Sequence, residues 1–228
     1  SPGPTSDHRI NHTYWEDIQR IDTLVYTEKL DGENNCLSSA GVFARSHAAP
    51  TTSPWTRQLR ERWELMRHDL GNLELFGENL YAVHSIEYKR LETYFYVFAV
   101  RCLDKWLSWE EVKFYAAMFD LPTVPELGVE SVEELAQEQL RQQILTLARH
   151  PGVFGTTDPL TGEDCTREGL VVRNTDEYPV SEFAHNVFKY VRKGHVKTDE
   201  HWTRHWKRAR LFWEFNENKG KHDLDSNR

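Results

Sequence analysis

The segment Glu28-Lys29-Leu30-Asp31-Gly32-Glu33-Asn34 has the residue types that can do covalent chemistry. Lys29 sits between carboxylates, with Asp31 and Gly32 just beyond it. A lysine amine is a poor nucleophile while protonated, with an ordinary pKa of about 10.4. Burial and a nearby cation, such as a metal, lower that pKa and free the lone pair for attack. Gly32 lets the backbone approach a bound ligand closely. A salt-bridged turn closing a strand would use the same residues, so the chemistry depends on what the rest of the chain brings to Lys29.

Those residues need a rigid frame. Short alternating runs predict strands over 24–29, 35–38, 41–45, 72–78, 93–101, 168–173 and 187–191. Ser38-Ser39-Ala40-Gly41 reads as the turn of a hairpin. Pro54 followed by Leu59, Trp63, Met66 and Leu70 has helical spacing from about 54 to 69. Ser108-Trp-Glu-Glu111 and Ser131-Val-Glu-Glu134 are capping-box patterns, opening helices that end near Phe119 and Arg149. A loop rich in Gly, Thr, Asp and Pro spans 151–166. Asp199 to Phe215 reads as a last helix, carrying Trp202, Trp206 and Trp213 beside several Arg and Lys. Strands and helices intermingle without an obvious linker or repeat, which predicts an α+β domain.

Composition narrows the function. With 228 residues, 39% of them hydrophobic, the chain can bury one substantial core. No run approaches the ~20 consecutive apolar residues of a membrane span, and the first residues lack the apolar stretch of a signal peptide. Cys36, Cys102 and Cys165 lie far apart, which argues against a disulfide framework or zinc site and for an intracellular, cytoplasmic setting. A net charge of −8 weighs against a nucleic-acid partner, because phosphate binding rests on Lys and Arg. Basic residues nevertheless cluster, at Arg45, Arg57, Arg60, Arg62 and Arg67 and again from Lys189 to Arg210, and local fields matter more than the total. Eight Trp, nine Tyr and eleven Phe serve either as core or as platforms for bases. His201 and His205 have no third metal ligand near in sequence.

Further segments follow Lys29 in a telling order. Lys29-Leu-Asp-Gly32 resembles motif I of the covalent nucleotidyltransferases, the superfamily of DNA ligases, RNA ligases and mRNA capping enzymes. Gly41-Val-Phe-Ala-Arg45-Ser46 resembles motif Ia, Leu73-Glu-Leu-Phe-Gly77-Glu78 motif III, and Tyr94-Phe-Tyr-Val-Phe98 motif IIIa. Arg167-Glu168-Gly169-Leu170-Val171-Val172 is a close match to motif IV, and Phe188-Lys189-Tyr190-Val191-Arg192-Lys193 resembles motif V. With Asn34 five residues after the lysine, the chain is most similar to the ATP-dependent RNA ligases.

The resemblance implies a ligase-type nucleotidyltransferase domain, ATP-grasp-like, with two antiparallel sheets, flanking helices and a central nucleotide cleft. It implies Lys29 as the nucleophile that forms lysyl–AMP from ATP, and Lys189 neutralising phosphate oxygens. Arg45 and Glu78 would contact the ribose hydroxyls, and Glu28 would accept from the adenine amino group. Phe98 would stack on the base; Tyr96 shares its strand face by alternation, so the residues alone do not separate the two. Asn34 would serve the later steps on the polynucleotide. Glu168, with Asp31 and in part Glu78, would hold Mg²⁺ or Mn²⁺, ions suited to hard oxygen ligands. Many RNA ligases show Lys-x-Lys in motif V; here Arg192 or Lys193 would replace the second lysine.

The implied activity is RNA repair by a monomer with no membrane partner, in which AMP passes to an RNA 5′-phosphate that a 3′-hydroxyl then seals. Residues 8–197 would form the catalytic domain and 198–228 a C-terminal helix and polar tail, either a minimal ligase or a catalytic domain cut from something longer. A DNA ligase or capping enzyme would share these motifs but usually adds an oligonucleotide-binding domain after motif V. A noncatalytic nucleotide- or RNA-binding module is the remaining alternative.

Overall fold

In the computed structural model, which describes residues 12–192 and 204–215, the predicted strand at Lys29 forms as Thr23–Lys29, β1. Its alternation sends the side chains to two places. Leu24 and Tyr26 enter one core with Leu140, Ile144, Leu170 and Val172, while Val25 enters another with Leu37, Leu75 and Val97. Each such aliphatic side chain, when fully buried, contributes about 1.5–3 kcal/mol.

In chain order the remaining strands are β2 (Glu33–Ser38), β3 (Gly41–Phe43), β4 (Leu73–Asn79), β5 (Glu87–Tyr88), β6 (Phe95–Cys102), β7 (Lys105–Trp106), β8 (Glu126–Ser131), β9 (Thr156–Thr157), β10 (Gly169–Asn174), β11 (Tyr178–Pro179) and β12 (Val187–Val191). The helices are α1 (His12–Ile18), α2 (Arg57–Met66), α3 (Trp109–Met118) and α4 (Gln137–Ala148). One sheet has the order β12-β10-β1-β8 and the other β11-β7-β6-β4-β2-β3; β5 and β9 form a small separate pair. Every strand pairing within them is antiparallel.

Helices cover the outer face of each sheet. Ile18 of α1 and Leu140 and Ile144 of α4 pack behind the four-stranded sheet. Leu59 and Met66 of α2 and Val112 and Ala116 of α3 pack behind the six-stranded one. The inner faces border a cleft, the α+β arrangement expected. Gly169 lets β12 approach β10 there, since a Cβ on it would lie 1.9 Å from the Tyr190 carbonyl oxygen. The hairpin turn forms as expected, with Ser38 opposite Gly41 and Gly41 at φ 151°.

Three expectations fail for tertiary reasons. The Ser131 capping pattern opens no helix: Ser131 pairs with Thr23, Val132 N–H donates to the Asp22 carbonyl, and α4 starts at Gln137, whose turn is capped by Gln139 accepting from Ala136 N–H. The 126–131 segment is instead β8, an edge strand the sequence reading missed. The expected final helix is absent over its described part, where only 212–215 forms a helical turn. Val83 N–H donates to the Lys207 carbonyl and Ala209 N–H to that of Tyr81, so 206–211 lies as a strap against the domain with Ala209 buried. The expected boundary at 197/198, with Lys193, Lys197, His201 and Trp202, lies outside the described residues.

Candidate active site

Lys29 is the last residue of β1, paired with Gly169 at the start of β10, so Glu168 sits just before that strand. Lys29 Nζ lies 3.0 Å from Glu168 Oε2, with both side chains largely shielded from solvent. Glu78, near the end of β4, accepts from Gly32 N–H at 2.9 Å, which ties the loop after Lys29 to the opposite sheet. Burial by itself would push the Lys29 ammonium down, but Glu168, Glu78 and Asp31 together hold it above its usual range. Burial pushes the Glu78 carboxyl up to about 7, against the pull of Lys29 and with added repulsion from Glu168. The site holds more acid than its one buried ammonium balances.

A cleft of about 440 Å³ opens from this cluster, large enough for a nucleotide-sized ligand. Val171 and Lys189 stand opposite one another on β10 and β12 and line one wall. Asn34, Glu78 and Phe98 line the other. A β-bulge decides which aromatic residue is presented. Phe76 pairs with Ala99 and Gly77 with Val97, leaving Phe98 as the extra residue of β6. The shared face expected for Tyr96 and Phe98 is therefore lost. Phe98 lines the cleft, while Tyr96 is buried against Phe154 with ring centroids 4.8 Å apart.

Sequence reasoning missed Arg173, which lines the cleft two residues past Val171 on β10; that alternation was the available signal. Arg173 is 3% exposed, donates to the Phe98 carbonyl and stacks over Trp109 at 5.4 Å. Its Nε and Nη2 have no hydrogen-bond partner among the described residues, and burial lowers its pKa. Trp106 and Phe183, 5.7 Å apart, complete an aromatic wall that the sequence reading also missed.

Four expected roles change. The Glu28 carboxylate is not offered to the cleft. It lies on the reverse face of β1, fully buried, accepting from Val153 N–H at 2.9 Å beside Arg167. Asp31 is turned away as a metal ligand: its Oδ2 accepts from Ser85 N–H, Ser85 Oγ–H and Ile86 N–H, each at 2.9 Å. Arg45 is exposed in the loop after β3 and is not among the residues lining the cleft. Arg192 donates to the Thr166 carbonyl at 2.8 Å, so its guanidinium braces a loop. Among the described residues no three His, Cys, Asp or Glu side chains form a metal-binding group, and no helix is long and apolar enough to cross a membrane.

No curated protein sequence matches this chain. Among solved structures it resembles a variant of RNA ligase from Naegleria gruberi, at 20% identity and a TM-score of 0.56, covering 83% of this chain and 55% of that one. An archaeal ATP-dependent RNA ligase is similar at 19% identity and a TM-score of 0.52, with 84% of this chain and 48% of that one covered. Another Naegleria gruberi RNA ligase variant, solved with ATP and Mn, gives 19% identity and a TM-score of 0.54, covering 85% and 57%. The chain thus spans about half the length of these solved relatives. A family model described as RNA ligase matches residues 22–191, from the first strand to the last. With most of its length matched and the motif residues drawn around one cleft, the chain belongs to the RNA ligase family.

Proposed function

We propose that this chain carries out ATP-dependent ligation of RNA through a covalent lysine–nucleotide intermediate. The observation that carries this is the buried Lys29–Glu168 contact at the head of a nucleotide-sized cleft walled by Phe98, Val171 and Lys189. Lys29 Nζ attacks the α-phosphorus of ATP; the new N–P bond forms as the P–O bond to pyrophosphate breaks. Before attack the ammonium must lose a proton, and Glu168 Oε2, already hydrogen-bonded to Nζ, is placed to take it. Lys189 offsets charge on the phosphoryl oxygens. Phe98 and Val171 hold the base between them, and Arg173 directs unused donors toward the acceptor atoms of its edge.

The acid excess suits a divalent cation, which would relieve the repulsion that raises Glu78. Glu168 and Glu78 would hold Mg²⁺ or Mn²⁺ through retained waters, in keeping with a site that offers two carboxylates rather than a full cage. Bound there, the ion supplies positive charge that favours the neutral amine and steadies the phosphates. AMP then passes to a 5′-phosphate end of RNA. A 3′-hydroxyl attacks that end, AMP leaves, and the strand is sealed, with Asn34 at the cleft edge serving these later steps. The chain would act as a monomer in an intracellular setting.

The test is incubation with α-labelled ATP or GTP and Mg²⁺, followed by denaturing electrophoresis. Label retained from ATP and lost in Lys29→Ala supports the reading. Preference for GTP would redirect it to capping chemistry, and no label would point to a binding module.

A further inference from the structure

Lys29 and Glu168 sit where a ladder is weakest, at the end of β1 and the residue before β10, beyond which no β1–β10 pairing continues. Such ends open most readily. The reverse face of the same strands carries a second pair with the charges exchanged. Glu28 immediately precedes Lys29 and Arg167 immediately precedes Glu168; Arg167 Nε lies 3.7 Å from Glu28 Oε1, with side chains 6% and 0% exposed. Both residues grip one further segment. Val153 N–H donates to Glu28 Oε1, Arg167 Nη2 donates to the Pro151 carbonyl at 3.0 Å, and Arg167 N–H donates to the His150 carbonyl at 3.1 Å. Gly152 packs so tightly that a Cβ on it would lie 2.6 Å from Glu28 Oε2.

A buried ion pair contributes little net stability, because desolvation consumes most of the Coulombic gain. Apolar residues such as Leu24 and Tyr26, on the same face of β1, would serve stability better. We infer that Glu28 and Arg167 are positioning residues, a reverse-face clamp that holds the ends of β1 and β10 against residues 150–153 so that the Lys29 amine and Glu168 carboxylate meet. This rests on the lysine chemistry proposed above and gives Glu28 a role other than base recognition.

The experiment is single-turnover labelling of the full chain with α-labelled ATP, for Glu28→Gln, Arg167→Met and Arg167→Lys, with thermal unfolding of each. At saturating ATP, Glu28→Gln and Arg167→Met should label about 10- to 100-fold more slowly, the loss expected when a reacting group shifts by about an ångström. The ATP concentration for half-maximal rate should stay within about twofold, and Arg167→Lys should recover part of the rate. If a single variant does not fold, the paired Glu28→Leu/Arg167→Met chain removes both charges together and should fold while staying slow. A folded variant at wild-type rate, a loss confined to ATP affinity, or full recovery in the paired variant would each overturn the clamp. A wild-type chain that takes no label removes the proposed function and this inference together; a labelled wild type with unaffected variants removes the inference alone.

Discussion

Replacing Glu78 by Gln should make the ligand-free protein more stable near pH 8 while slowing its chemistry. Burial raises this carboxyl from 4.5 to about 7, so the fold prefers the protonated form. The sign follows from linkage: a raised acid imposes no cost below its unfolded value of about 4.5, a growing cost as pH rises through that range, and the full cost above about 7. The shift corresponds to at most about 3 kcal/mol. Glu78 lines an open cleft, where solvent screens part of this, which leaves about 1–2 kcal/mol. Gln keeps an oxygen that can accept from Gly32 N–H and removes the charge. For a chain of this size the gain amounts to about 2–8 °C in thermal midpoint. Calorimetry of wild type and variant from pH 5 to 8 should show midpoints that coincide at the acid end and diverge toward pH 8, with lysine labelling slowed at least about tenfold. An equal offset at every pH, or a variant less stable than wild type at pH 8, would refute the account of an overcharged site.

Three other substitutions separate the remaining roles. Asp31→Ala strands the donors of Ser85 and Ile86, costing at least about 1–3 kcal/mol in urea unfolding. The Mg²⁺ concentration for half-maximal labelling should stay unchanged per folded molecule, and a shift would return Asp31 to the metal. Arg173→Met removes the donors at the base end of the cleft and should raise the ATP concentration for half-maximal labelling about tenfold, near 1.4 kcal/mol, and narrow the preference between ATP and GTP. Gly169→Ala places a methyl 1.9 Å from the Tyr190 carbonyl oxygen. It should force β12 and Lys189 away from β10 at a cost above about 3 kcal/mol, read by denaturant unfolding; a variant of wild-type stability would contradict the close approach.

Local pattern determined much of this protein. Period-two alternation located β1, β4, β6, β10 and β12 within a residue or two, and the Ser108–Glu111 capping box formed, with Glu111 N–H donating to Ser108 Oγ at 3.2 Å. The order of Lys29, Glu78, Phe98, Glu168 and Lys189 along the chain was enough to expect them around one cleft. These signals are legible because alternation and capping depend on neighbours a few residues apart. Tertiary structure decided which way the flanking acids turned. Glu28 and Asp31 look like site residues beside Lys29, yet their partners, Val153 and Ser85, lie 125 and 54 residues away. The bulge that separates Phe98 from Tyr96, the edge strand at 126–131, the strap at 206–211 and the unpartnered donors of Arg173 likewise arise only when distant segments compete for the same hydrogen bonds and buried space.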